Sequence, residues 1–123
     1  MPLEKQVVSL ELAKRLKELG VKQESLFWWV EIPADKQLYI QPEYTAKLFS
    51  PRYSAFTVAE LGEMLPRGTI SHKLGKEWYF LNREKTRDVI ADTEADCRSK
   101  MLIYLVENKL LTASITASAI SSR

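Results

Sequence analysis

The strongest constraint on the fold is a stretch at residues 26–32, LFWWVEI, that is apolar on both sides of an extended chain. In a strand, successive side chains point to opposite faces of the sheet. The even positions form one wholly apolar face: Leu26, Trp28, Val30 and Ile32. The other face carries Phe27, Trp29 and Glu31, so it is aromatic rather than polar. A strand of this kind must be covered on both sides, either by its own core or by a partner.

A second extended run at residues 37–41 follows the turn-like residues 33–36, which predicts a β-hairpin. We expect Leu38 and Ile40 to continue the core face and Tyr39 to lie opposite, beside the aromatic side chains. Phe27, Trp29 and Tyr39 are therefore the candidate partner-binding residues, because exposed aromatic patches mark binding surfaces. The alternative is that a helix covers this face.

Two helices are predicted from signals at their ends. Residues 9–19 carry leucines at helical spacing, with Ser9 as the N-cap and Gly20 as a left-handed stop. Further along, Thr57 and Glu60 have the spacing of a capping box, and the flanking Phe56 and Leu61 that of a hydrophobic staple. A short helix at residues 58–65 follows.

The remaining segments complete an alternating order of hairpins and helices. Residues 69–74, 77–82 and 86–91 read as two or three strands, and a helix at 94–108 begins after its cap, Thr93. Residues 42–52, bracketed by prolines, read as a loop with a helical turn. The order α-ββ-α-ββ(β)-α predicts an α+β fold, with one antiparallel sheet of about four to five strands packed against three helices.

Length and composition predict one cytoplasmic domain. We expect a single α+β domain at residues 1–111 and a disordered C-terminal tail at 112–123, which is rich in small residues. A lone cysteine allows no intrachain disulfide and favours a reducing compartment. The chain begins without the pattern of a signal peptide, and no apolar run is long enough to span a membrane.

The residues that carry chemistry are too few to specify a reaction. His72 and Cys97 are the only histidine and the only cysteine, whereas metal sites generally take three or four such ligands. Four glycines leave little material for a phosphate-binding or dinucleotide-binding loop. We therefore expect a non-enzymatic binding protein without a metal or cofactor.

Residues 67–87 favour a second hypothesis, because basic side chains there flank the three consecutive aromatic residues Trp78, Tyr79 and Phe80. Nucleic-acid binders that use strands place cations on phosphates and rings on bases. The candidate nucleic-acid-binding residues are Lys73, Lys76, Trp78, Arg83, Lys85 and Arg87. The alternative is a solvated hairpin whose Trp78 faces the core, and a net charge of only +2 does not by itself favour a nucleic-acid partner.

Three segments resemble a family of small uncharacterised proteins carried by bacterial phages, prophages and mobile elements. They are residues 9–13 (SLELA), 55–66 (AFTVAELGEMLP) and 93–108 (TEADCRSKMLIYLVEN), and the resemblance covers most of residues 9–111. It implies a bacterial host and an accessory role, and it supplies no catalytic residues. The leading hypothesis is a protein-interaction module with an unidentified protein partner; a homodimer formed through an edge strand or the aromatic face is also possible.

Overall fold

The computed structural model of the chain describes residues 2–34, 37–66, 69–82 and 89–109. The described helices are α1 (Leu3–Gln6), α2 (Leu10–Glu18), α3 (Glu43–Ala46), α4 (Val58–Met64) and α5 (Glu94–Glu107). The described strands are β1 (Phe27–Ile32), β2 (Gln37–Pro42), β3 (Arg52–Ser54), β4 (Thr69–Leu74), β5 (Glu77–Asn82) and β6 (Val89–Ala91). The predicted tail at 112–123 lies outside the described residues.

The strands form two small antiparallel sheets, which confirms the α+β class but corrects the prediction of a single sheet. The first sheet has the order β2-β1-β3 and the second the order β4-β5-β6. One difference is β3, of which only Arg52 falls within the predicted loop and which pairs with the free side of β1. Among the described strands, β1, β2 and β3 pair only with one another. The short helix α3 is the helical turn predicted within residues 42–52, whereas α1 was not predicted.

The end of α2 and the start of α4 confirm the local signals. Gly20 adopts a φ of 88°, and the Val21 N–H donates to the Leu16 carbonyl at 3.1 Å, as in a Schellman stop. At α4, the Thr57 hydroxyl accepts from the Glu60 N–H at 3.2 Å and the Glu60 carboxylate accepts from the Thr57 N–H at 2.9 Å. The predicted capping box is therefore complete.

The caps of α2 and α5 differ in how they are made. The Thr93 hydroxyl accepts from the Asp96 N–H at 3.1 Å, as predicted for the start of α5. Ser9 lies at the N-cap position of α2, but its side chain makes no capping bond. Its own N–H instead donates to Asp96 Oδ1 at 2.7 Å, so the starts of α2 and α5 are joined.

Helix α5 is the centre of the main core. It packs against α2, α4 and all three strands of the second sheet. The fully buried side chains of this core include Leu16, Phe56, Leu61, Leu102 and Leu105. A smaller cluster, built from Trp28, Val30 and Ala46, lies between the first sheet and α3. None of the helices in the described part of the chain is long and apolar enough to cross a bilayer.

The register of the first hairpin overturns the predicted faces of β2. Trp29 pairs with Ile40, and Val30 pairs with Tyr39. Directly paired residues of an antiparallel sheet share a face, so Ile40 lies on the face of Trp29 and Tyr39 on the face of Val30. The four-residue connection between Ile32 and Gln37 is the cause, because it pairs odd positions of β1 with even positions of β2.

Candidate functional site

The three candidate partner-binding residues, Phe27, Trp29 and Tyr39, do not lie on one face of the first sheet. Trp29 packs against the main core and its indole N–H donates to the Val8 carbonyl at 2.9 Å. Phe27 shares that face of β1 and is half-buried, whereas Tyr39 belongs to the opposite face and is 41% exposed. The prediction of a shared face for Phe27, Trp29 and Tyr39 is therefore wrong, and Trp29 is in large part a core residue.

The candidate nucleic-acid residues are described only in part. Lys73 pairs directly with Trp78, so the two share a face of the second sheet. Trp78 is half-buried and packs against the main core, while Lys73 and Lys76 are exposed. Arg83, Lys85 and Arg87 lie outside the described residues, so the structure describes only Lys73, Lys76 and Trp78 of the six candidates.

A groove of about 570 Å³ brings together parts of both sheets and the starts of three helices. We call it the inter-sheet groove. Its apolar lining includes Leu3 of α1, Phe27 of β1, Val58 of α4 and Trp78 of β5. Its charged lining residues are Lys5, Lys73, Asp92 and Glu94. The groove therefore brings Phe27, a candidate partner-binding residue, together with Trp78, a candidate nucleic-acid-binding residue.

The carboxylate of Glu94 is held at the groove by its neighbours. It accepts a hydrogen bond from the Ser71 hydroxyl at 2.6 Å and an ion-pair contact from Arg98 Nη2 at 3.1 Å. Arg98 also donates from Nη1 to the Val58 carbonyl at 3.0 Å, which ties α5 to α4. Glu94 is thus a positioned acceptor, whereas the side chains of Lys73 and Asp92 are exposed to solvent.

The balance of charge in the groove bears on what it can bind. Two lysines and two acidic residues line it. A polyanion gains affinity from neutralising many phosphates with cations, and the carboxylates of Asp92 and Glu94 would oppose that gain. The lining is better matched to a ligand that is mostly apolar and carries both signs of charge.

A second cavity, of about 490 Å³, also borders α1. Leu3 and Glu4 of α1 line it together with Trp29 of β1 and residues 38–41 of β2. Trp29 and Tyr39 therefore line one cavity, although they lie on opposite faces of the sheet. Leu3 lines both cavities.

The environment of Cys97 is that of a core residue. Its side chain is fully buried, and its thiol contacts the Val89 carbonyl at 3.6 Å. Burial raises the pKa of the thiol from 9.0 to about 11, against a smaller lowering by Lys100. A thiol with so high a pKa is almost wholly protonated near neutral pH and is a poor nucleophile. Among the described residues, no three histidine, cysteine or acidic side chains are placed to hold a metal ion.

Sequence reasoning missed the contribution of residues 2–6, which lie before the first predicted helix. A short apolar–charged run such as Leu3-Glu4-Lys5 carries no signal that distinguishes a groove lining from an unstructured end. In comparisons with known proteins, the chain matches no family model, no curated protein and no solved structure.

Proposed function

We propose that this chain is a non-enzymatic protein-interaction module that receives an apolar segment of a protein partner in the inter-sheet groove. The observation that carries the proposal is the groove itself, which places Phe27 and Trp78 beside the positioned carboxylate of Glu94 and three exposed charged side chains. Recesses that bind ligands are mostly apolar with a few placed polar groups, and their volumes run from about 300 to 1,000 Å³.

The charges of the groove supply specificity in this proposal. Complementary charges favour the correct partner and its register more than they raise affinity. The partner segment would place an acidic group near Lys73 and a basic group near Asp92, with its apolar side chain between Phe27 and Trp78. Aromatic side chains of this kind are frequent among residues that dominate binding energy.

We further propose that this interaction belongs to a mobile element of a bacterium, on the ground that most of residues 9–111 resembles small phage and prophage proteins. In this proposal the chain is an accessory protein that acts by binding and not by catalysis. The surroundings of Cys97 support a non-enzymatic function, because the burial and the high pKa of its thiol disfavour a nucleophilic role.

A photo-crosslinking experiment tests the site. Ala59→p-benzoylphenylalanine places a crosslinker at an exposed position of the groove without removing a charge, and Leu48→p-benzoylphenylalanine places one at an 80% exposed leucine outside it. We expect a light-dependent protein adduct from position 59 and none from position 48. Phe27→Ser should remove the adduct while circular dichroism stays unchanged. If Phe27→Ser destabilises the fold, Lys5→Glu, which changes an exposed groove residue, serves as the second variant and should likewise remove the adduct.

Two outcomes would count against the proposal. Equal labelling from positions 59 and 48 would show that the groove does not bind a partner selectively. Labelled single- and double-stranded oligonucleotides, titrated across a salt series, address the nucleic-acid alternative. Binding that falls steeply with salt and is weakened by Lys73→Ala and Lys76→Ala would replace the protein-interaction proposal with that alternative.

A further inference from the structure

Side chains from outside the first sheet cover its β3 edge. The strand at the edge of a sheet presents backbone groups that can pair with another chain, and most proteins protect them. At β3, the Ser54 N–H donates to Gln23 Oε1 at 2.8 Å. The Arg52 carbonyl accepts from Lys17 Nζ at 3.0 Å. The outer backbone groups of β3 are therefore already bonded within the chain.

The opposite edge, β2, carries little protection in its sequence. Charged side chains and prolines usually protect an edge strand. The six residues of β2, QLYIQP, include no charged side chain, their one proline is the last residue, and none of them is buried. Among the described strands, only β1 pairs with β2. The outer edge of β2 is therefore available to a further strand.

The hydrogen bonds of β1 determine which backbone groups of β2 point outward. The Ala55 N–H donates to the Phe27 carbonyl at 2.9 Å, so the backbone groups of Phe27 point towards β3. These groups alternate between the two sides along an antiparallel strand. Those of Val30 consequently point towards β2, where its direct partner is Tyr39. The N–H and C=O groups of Tyr39 thus point inward, and those of its two neighbours in the chain point outward.

The outward backbone groups of β2 centre on Tyr39, because they belong to Leu38 and Ile40. The next outward position is Pro42, which has no N–H to donate. The described part of this edge therefore offers its N–H donors one residue before and one residue after Tyr39. A further strand obtains the most hydrogen bonds when its centre lies opposite Tyr39.

We propose that β2 pairs antiparallel with β2 of a second copy of this chain, with Tyr39 on the two-fold axis. In this register, Leu38 of each copy lies opposite Ile40 of the other. Each such pair exchanges two backbone hydrogen bonds, because the groups of both residues point across the axis. The dimer joins the two copies of the three-stranded first sheet into one continuous sheet. The proposed function of the inter-sheet groove does not depend on this dimer.

The sequence of β2 argues for a second copy as the partner. Residues 37–41, QLYIQ, read nearly the same in both directions. About an axis at Tyr39, leucine therefore meets isoleucine and glutamine meets glutamine. A two-fold interface requires this kind of self-complementarity. Because β2 has no charged residue, no like charges meet across the axis. Tyr39 is 41% exposed and faces its own copy, in a type of pair that brings side chains close together.

Sedimentation velocity of the full chain tests the dimer, at concentrations from about 1 to about 500 µM, which span moderate to weak association. We expect the mass to rise with concentration from 14.2 kDa towards twice that value. Ile40→Pro removes an N–H that points away from β1, so the dimer loses two hydrogen bonds and the single chain loses none. It should raise the dissociation constant about tenfold or more. Ile40→Ala, which keeps the N–H, should raise it less.

Tyr39→Lys is a second variant that does not depend on how Ile40→Pro folds. It places like charges directly opposite each other at the axis, so it should also weaken the dimer. Tyr44→Lys is the matched control, because it adds the same charge at an 80% exposed tyrosine outside β2. We expect Tyr44→Lys to sediment as the unaltered chain does. Circular dichroism checks that each variant is folded.

A cysteine crosslink tests the register. The pair at the axis is of the non-hydrogen-bonded type, whose Cα atoms lie about 4.5 Å apart, within the range of a disulfide. Tyr39→Cys should therefore form a covalent dimer under mild oxidation. Gln37→Cys is the control, because its two copies would lie four residues apart along the strands, about 13 Å, which is too far. The native Cys97 is buried and does not compete.

Three results would overturn the proposal. The first is a chain that remains a monomer at the highest concentration. The second is a dimer that both Ile40→Pro and Tyr39→Lys leave intact, because its interface would then lie outside β2. The third is equal crosslinking of Tyr39→Cys and Gln37→Cys, which would exclude an axis at Tyr39.

Discussion

Replacing Gly62 with alanine tests how closely α4 and α5 are packed. Gly62 lies inside α4, and a Cβ added there would overlap Arg98 Nη1, with Arg98 Cζ at 3.4 Å. The Arg98 side chain is only 23% exposed, and it donates to the Val58 carbonyl at 3.0 Å and contacts Glu94 at 3.1 Å. The guanidinium must therefore move to admit a methyl group.

Two opposing effects set the magnitude. Alanine in place of glycine within a helix stabilises by about 0.5–1 kcal/mol, because it restricts the unfolded chain. Losing a hydrogen bond from a charged donor costs about 1.5–3 kcal/mol. Since displacing Arg98 breaks its bond to Val58, we expect Gly62→Ala to lower the free energy of unfolding by about 0.5–2.5 kcal/mol, the difference between these effects.

The assay is equilibrium unfolding in urea, performed in two backgrounds. In Arg98→Met the guanidinium is absent, so Gly62→Ala should there raise the free energy of unfolding by about 0.5–1 kcal/mol. The sign of the effect thus reverses between the two backgrounds, and the double-mutant cycle gives the coupling. The same sign and size in both would refute the close contact between Gly62 and Arg98.

Three further predictions concern the cap of α4, the anchor of β1 and the buried thiol. Thr57→Ala should lower the free energy of unfolding by about 1 kcal/mol in urea, while Thr57→Ser, which keeps the bond to the Glu60 N–H, should lose less. Trp29→Phe should cost about 1–2 kcal/mol in the same assay, because the Val8 carbonyl loses its donor; no loss would show that this bond contributes nothing. The native Cys97 thiol should resist dithionitrobenzoate at pH 8 and react in denaturant. Because its folded pKa is raised from 9.0 to about 11, its stabilising effect should be complete below pH 9 and lost as the pH rises towards 11, a loss that Cys97→Ala should not show.

The sequence by itself determined where the principal helices begin and end. The capping box of Thr57 and Glu60, the cap at Thr93 and the stop at Gly20 were all predicted and are all present. Each depends on hydrogen bonds between groups only a few residues apart, so the local sequence is nearly sufficient to specify these helix ends. Ser9 is the exception: its side chain makes no capping bond, and its own N–H donates to Asp96, from a distant part of the chain.

Only the tertiary structure decided the faces of the strands and the position of the candidate site. An alternating pattern is compatible with either face until the register is set, and a shift of one residue reverses every side chain. The connection after Ile32 put Tyr39 on the face of Val30, and the described strands pair as two sheets rather than one. The inter-sheet groove then arose from residues as far apart in the chain as Leu3 and Glu94, whose proximity depends on long-range packing that no local pattern contains.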